Sequence, residues 1–358
     1  MVKSPMPWWA WSWPAVAWVV LLASYLIGGI ILNAVAGAVL IATVFAAVYH
    51  AEVVAHRVGE PFGTLVLALA VTVIETALIV SIMITAAADN SGLARDTVFA
   101  AVMIVCNGMV GLCLLVGGAR YREQGFQLQG ASAALAVLVA LTGLALVLPN
   151  YASSGLGPLY SKTQLVFAGF VSLVLYAAFV FIQTVRHRDA FLPVDAGDEE
   201  THAPVPSART AALSAGLLLV ALIAIVGLAK VLTPTVEFGV ARLDVPKAVV
   251  GIIIAALVLL PEAVAAVRTA LKNQLQTSLN LALGSALATI GLTIPAVAAV
   301  SIVLGQRLTL GLDAKDQALL VMTLLLAMIT LGTGRTTILQ GVVHLVMFGV
   351  FLFLAVAP

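Results

Sequence analysis

Two glutamates stand alone in apolar surroundings. Between Pro61 and Ala88 the one ionisable residue is Glu75, and between Ala248 and Val267 it is Glu262. A charge at the centre of a bilayer costs at least ~2.5–3.5 kcal/mol, so such residues persist where they face an interior cavity and act there. Each acidic run is followed by a partner run with small and polar residues at its middle. Asn107 and Gly108 follow Glu75; Gly284, Ser285 and Thr289 follow Glu262. Small residues let helices approach, and Asn, Ser and Thr supply oxygens. Two carboxylates with amide, hydroxyl and carbonyl oxygens make a hard site suited to Ca²⁺, and in weaker form to Na⁺ or K⁺. Without a cation, the same buried carboxyls are expected to take up protons, so cation and proton compete for one set of oxygens. Exchange follows if the empty, unprotonated site cannot reorient across the membrane.

The elements that must hold these residues are membrane helices. Of 358 residues, 62% are hydrophobic and 9% charged, with a mean hydropathy of +1.15. A soluble domain carries about a quarter charged residues, so lipid is the expected solvent. A net charge of +1, with no dense basic stretch, argues against nucleic acid. Cys106 and Cys113, seven apart in one apolar run, read as packing residues. Five tryptophans between Trp8 and Trp18 read as an interfacial anchor.

Apolar windows of about 20 residues fall at 14–31, 33–49, 61–88, 97–118, 130–149, 164–184, 210–232, 247–268, 277–303, 317–333 and 337–356. The expectation is an all-α polytopic membrane protein of about eleven helices. Asn33 separates the first two windows, which implies a tight hairpin. With the N-terminus inside, the 17 Lys and Arg divide ten inside to seven outside, which favours that orientation. Glu75 then rides a helix running outward and Glu262, five spans later, one running inward. That is an inverted repeat, the architecture that places a transport site at the midplane. The expected organisation is an N-terminal anchor and first helix over 1–32, a five-helix repeat over 33–184, an acidic cytoplasmic linker over 185–209 and a second five-helix repeat over 210–358. The linker reads as a solvated connection, or as a weak cation-attracting patch or regulatory sensor near the mouth. Pro61 and Gly63 open the first acidic helix. Pro261, immediately before Glu262, predicts a broken helix whose freed carbonyls join the carboxylate, with the chain continuing to Leu271 and Arg268 in water.

The stretches AEVVAHRVGEPFGTLVLALAVTVIETALIVSIM (51–83), LLPEAVAAVRTALKNQLQTSLNLALGSALATIGLTIP (259–295) and GTGRTTILQGVVHL (332–345) resemble the bacterial ChaA-type calcium/proton antiporters. These belong to the cation/proton exchanger family of the calcium/cation antiporter superfamily. The resemblance covers nearly the whole chain. It implies one helix followed by two inverted five-helix repeats, with Glu75 and Glu262 as the shared cation and proton site and Asn107 and Ser285 as polar positions on the partner helices. It also implies a bacterial inner membrane. Many calcium exchangers carry a Gly-Asn pair before each acid. Here those places hold Val71-Thr72 and Val258-Leu259, so Thr72 offers a hydroxyl, and Leu259 and Val71 offer backbone carbonyls. A glutamate common in the last motif is Gln340. Fewer ligands leave room for Na⁺ or K⁺ beside Ca²⁺.

Other residues carry two readings. His50, Glu52, His56, Arg57 and Glu60 crowd one end of the second window. They read as an interfacial charge cluster or as a pH sensor at the entrance, since His titrates near neutrality. His344 reads as a core histidine bonded to a neighbouring helix. Arg335 reads as a surface anchor or a gating partner. The expected function is a secondary cation/proton antiporter, Ca²⁺ with H⁺ first and Na⁺ or K⁺ with H⁺ as the alternative. Its partners are small cations, protons and lipid, and no cofactor is expected. An intramembrane enzyme lacks its motif here, whether HExxH or an Asp-rich diphosphate site. A channel lacks its ring-like filter.

Overall fold

The computed structural model describes residues 6–59, 70, 72–80, 92–152, 157–192, 206–242, 246 and 248–357. Ten of the described helices are long and apolar enough to cross a membrane, and residues 72–80 form a further helical segment inside the third expected span. In chain order the helices are α1 (Trp8–Leu26), α2 (Ile30–Val58), α3 (72–80), α4 (Leu93–Tyr121), α5 (Leu128–Asn150), α6 (Lys162–Arg186), α7 (Ala208–Arg242), α8 (Ala248–Ala270), α9 (Leu275–Leu304), α10 (Ala314–Leu331) and α11 (Ile338–Val356). The all-α expectation needs one addition. Strands β1 (Glu123–Gly125) and β2 (Arg335–Thr337) pair antiparallel, with Gln124 opposite Thr336.

Packing groups the helices into two compact units. One holds α1, α2, α3 and α7; the other holds α4 to α6 and α8 to α11.

In the first unit, α1 and α2 form the expected hairpin, but its turn is not at Asn33. Gly28 and Gly29 make the turn with φ of 65° and 110°, a left-handed backbone that glycine adopts without a steric penalty. Asn33 lies in the first turn of α2 and donates from Nδ2 to Thr235 Oγ1 of α7 at 2.7 Å. The tryptophan-rich stretch is part of α1 itself. Trp9 meets Tyr49 edge-on at 5.2 Å, and Trp18 Nε1 donates to the Val220 carbonyl at 3.2 Å. At 29 and 35 residues, α2 and α7 extend about 44 and 52 Å. Both outrun a hydrocarbon layer of ~30 Å, so each tilts or projects past it.

The second unit is built around α4, with 83% of its most apolar window buried. Glycines bring α11 against it. A Cβ on Gly118 would come within 2.6 Å of the Ile338 nitrogen, and one on Gly111 within 2.9 Å of His344 Cβ. Further along, Phe99 meets Phe351 at 5.6 Å. The order of these contacts makes α4 and α11 antiparallel. A Cβ on Gly251 near the start of α8 would lie 2.9 Å from the Thr97 nitrogen, while Tyr121 Oη donates to the Leu271 carbonyl at 2.9 Å. Thus α8 runs parallel to α4. Ser278 of α9 reaches back to the Ala266 carbonyl at 2.8 Å.

Two further expectations change. The expected break at Pro261 is absent: α8 is continuous from Ala248 to Ala270. A proline ring removes one ladder bond, and packed neighbours on both sides carry the helix through. The linker also starts later than expected. After α6 a short 3₁₀ turn, Arg188–Phe191, docks back on the bundle. Phe191 is buried against Phe179 at 5.9 Å, and its carbonyl accepts from Asn280 Nδ2 at 2.6 Å. Residues 193–205, with the linker's acidic cluster, lie outside the described residues.

Candidate cation site

Glu75 and Thr72 sit on α3 in the first unit, three residues apart and therefore on one helix face. Their relative exposures are 2% and 4%. Glu262 sits in the second unit on α8, eight residues before the helix end, with an exposure of 6%. Among the described residues, these are the two acids that are fully buried.

The unbroken α8 changes which carbonyl is available beside Glu262. Pro261 has no N–H to give, so the carbonyl released from the ladder is that of Leu257, four residues earlier. The Leu259 carbonyl, proposed from the sequence, belongs instead to the Ala263 N–H of the regular helix. Val71 and Glu60 lie outside the described residues.

The partner helices share an irregularity. Asn107 lies in a π-helical stretch of α4, Ile104–Met109, and Thr289 opens another in α9, Thr289–Thr293. A π-helical turn inserts one extra residue, and such turns concentrate at functional sites. Thr289 and Thr293 are buried, and Ser285 is half-buried one turn earlier. The second unit therefore brings Glu262, Asn107, Ser285 and Thr289 onto three helices, α8, α4 and α9, that pack on one another. Glu75 and Thr72 belong to the other unit.

Asn107 is held by a buried network. Its Nδ2 donates to Thr323 Oγ1 at 2.8 Å, and its Oδ1 lies 3.2 Å from His344 Nδ1. His344 Nε2 lies 3.1 Å from Thr330 Oγ1. His344 is the interhelix core histidine expected from the sequence, but its partners on α4 and α10 were not legible there.

The remaining candidates have local roles in this structure. His50 is buried and donates from Nε2 to the Ala10 carbonyl at 2.9 Å, tying α2 to α1. Glu52 and His56 are exposed near the end of α2, and Arg57 reaches the Pro206 carbonyl at 3.4 Å. Arg335 is exposed on β2 and pairs with Glu123 across the ribbon at 3.6 Å. Gln340 completes a capping box with Thr337 at the start of α11, so it serves where a glutamate would. Sequence reading missed a polar cluster where α4 and α10 begin. Arg95 binds Asp96 at 2.7 Å and the Gly311 carbonyl at 3.2 Å, and Asp313 caps α10 by accepting from the Asp316 nitrogen at 2.8 Å.

Comparison with known proteins follows this geometry. A family model described as sodium/calcium exchanger protein matches residues 15–185 and 213–357. The chain is 52% identical over 332 residues to the putative ionic transporter y4hA of Sinorhizobium fredii, across 92% of this chain and 89% of that one. It is 35% identical over 316 residues to the sodium-potassium/proton antiporter ChaA of Escherichia coli, across 87% and 85%. Among solved structures, native YfkE superposes with a TM-score of 0.75 at 18% identity, across 98% of this chain and 100% of that one, which shows a common fold.

Proposed function

The chain belongs to the sodium/calcium exchanger protein family, and from that premise we propose that it is a cation/proton antiporter working by alternating access. The observation that carries the reading is the burial of Glu75 and Glu262, at 2% and 6% exposure, within apolar helices. Buried carboxyls must be either neutralised by protons or paired with a cation. That choice is the coupling. With a cation bound, both carboxylates are ionised. With the cation gone, protons replace it, and the site crosses neutralised in either case. The empty charged site stays where it is, so each passage in one direction carries cation and each return carries protons.

In this reading the two acids belong to inverted five-helix repeats, 33–184 and 210–358, and both bind cation and protons. Asn107, Ser285, Thr72, Thr289 and the Leu257 carbonyl supply further oxygens. The π-helical stretches of α4 and α9 each follow an acid-bearing helix, though α5 and α6 carry such stretches too. The N-terminus lies in the cytoplasm of a bacterial inner membrane. In the second unit, Arg120, Arg122, Arg186, Arg188, Arg268, Lys272 and Arg335 lie at one end, against Arg95, Lys162, Arg307 and Lys315 at the other. That excess favours the first end as cytoplasmic.

Ca²⁺ suits a site with two carboxylates. A second reading, Na⁺ or K⁺ as cargo, is favoured by the missing amides before each acid and by the name of the Escherichia coli relative. One experiment tests antiport and separates the cargoes. The protein is reconstituted in vesicles with an imposed pH gradient, and Ca²⁺, Na⁺ and K⁺ are added in parallel. The proper cation is expected to collapse the gradient at a rate that saturates with its concentration. Cation current without proton movement would overturn antiport in favour of a channel.

A further inference from the structure

We propose that His344 is a positioning residue for the cation site, holding the side-chain amide of Asn107 in its ligating orientation. The inference rests on the reading of Asn107 as a ligand.

The donors and acceptors around Asn107 admit a consistent assignment. Thr323 Oγ1 donates to Met103 Sδ at 3.4 Å, which leaves its oxygen to accept from Asn107 Nδ2 at 2.8 Å. The carbonyl oxygen of Asn107 therefore faces His344, 3.2 Å from Nδ1. A carbonyl only accepts, so the hydrogen of the ring sits on Nδ1. Nε2 is then the acceptor of a neutral imidazole and receives the Thr330 hydroxyl at 3.1 Å. The second hydrogen of Asn107 Nδ2 lies toward Met103 Sδ at 3.9 Å, and no member needs a charge. Asn107, His344 and Thr323 are fully buried, and Thr330 is 2% exposed, so water does not compete for these bonds.

The network spans three helices. Asn107 comes from the π-helical stretch of α4, Thr323 and Thr330 from α10, and His344 from α11. The terminal torsion of an asparagine is soft and broad. Here Nδ2 is held on one side and Oδ1 on the other, so the amide cannot turn. An amide oxygen has two lone pairs. His344 takes one, which leaves the other, with a fixed direction, for a cation. Loss of the imidazole frees the amide to rotate and weakens cation binding without touching the carboxylates that carry the protons.

The test uses the full chain in vesicles with an imposed pH gradient and the cation that dissipates it. An asparagine at 344 can place an amide N–H near the former Nδ1; a glutamine reaches toward Thr330 instead. His344→Gln and His344→Leu are expected to raise the half-saturating cation concentration about fivefold or more, with maximal rates within about twofold of the parent. His344→Asn is expected to restore the parent value. A His344→Leu protein with unchanged half-saturation would overturn the proposal, and so would a His344→Asn protein as weak as His344→Gln. Asn107→Ala separates the two ideas: parental affinity in that variant would remove Asn107 from the site and overturn the reading beneath the proposal. A variant too unstable to reconstitute is read in detergent by the cation-induced rise of its melting temperature. That rise must come at fivefold higher cation in His344→Gln and at the parent concentration in His344→Asn.

Discussion

The side chain of Gln124, on the short strand after α4, donates to the backbone carbonyl of Ala270, the last residue of the helix that carries Glu262. The bond is 3.1 Å long, and the same amide nitrogen lies 2.9 Å from Asn273 Oδ1. Carbonyls at a helix C-terminus lack partners within their own helix. Here the Ala270 carbonyl accepts from the Asn273 N–H of the following turn at 3.1 Å and takes its second bond from Gln124, which ties α8 along its axis to α4. Gln124→Leu deletes both bonds in a buried place and is expected to cost about 1–3 kcal/mol. A thermal melt of the detergent-solubilised protein reads this as a lower midpoint. An unchanged midpoint would show that the ribbon does not secure α8.

Glu75→Gln and Glu262→Gln each remove one exchangeable carboxylate and keep its shape. Each is expected to reduce cation-dependent collapse of a pH gradient to the rate of empty vesicles. Retention of normal exchange by either variant would remove that residue from the coupling mechanism.

Thr72 stands three residues before Glu75 on the same buried face. Many calcium exchangers place asparagine there, and an amide oxygen is a better Ca²⁺ ligand than a hydroxyl. Thr72→Asn is therefore expected to lower the half-saturating Ca²⁺ concentration several-fold relative to that for K⁺. Cation titrations of the vesicle assay check the ratio, and a ratio that moves toward K⁺ would contradict the ligand role of this position.

Gly341 lies where a Cβ would collide with the Leu115 nitrogen and the Gly111 carbonyl of α4. Both are backbone atoms and cannot swing away. Gly341→Ala is expected to force α11 outward and to cost about 1–3 kcal/mol. The measurement is again the melting midpoint, with Gly349→Ala as the control, since open space surrounds that glycine. Equal midpoints for the two variants would show that α4 and α11 do not pack as closely as described.

What the chain reveals unaided depends on the range of the interaction that decides each feature. Apolar windows identified the spans because burial in lipid is a property of each segment taken alone. The window for α1 starts late and those for α2 and α7 are short at both ends, since polar and aromatic residues beyond the lipid still continue a helix once a neighbour packs against it. Trp9 on Tyr49 and Asn33 on Thr235 are such neighbours. Pro261 misled for the same reason: a helix breaker in isolation is tolerated where α4 and α9 flank it. A ribbon of two three-residue strands gives no periodic signal and appears only when the α4–α5 and α10–α11 connections come together.

Candidate site residues followed a similar division. Glu75 and Glu262 were legible because a lone acid in an apolar run is an anomaly at the level of sequence, and both proved buried. Asn107 and Thr289 were legible as polar residues but not as parts of π-helical stretches, which arise from packing. His50 drew attention as a titratable group and serves to bind α1 to α2. Nothing in its immediate sequence distinguishes that use from the sensor it was weighed against.

The surplus residue in the π-helical stretch Ile104–Met109 is absorbed within its own turn. Each residue advances a regular helix by roughly 100°, and the wider turn takes up that angle, so Val110 to Tyr121 keep the rotational phase of a helix one residue shorter. Gly111 and Gly118 therefore stay under α11 and Gly117 beside Gln124, while the backbone around Asn107 carries the whole irregularity. A single-codon deletion within the stretch is expected to tighten it into an ordinary spiral, leaving those glycine contacts in place and changing the setting of Asn107 alone.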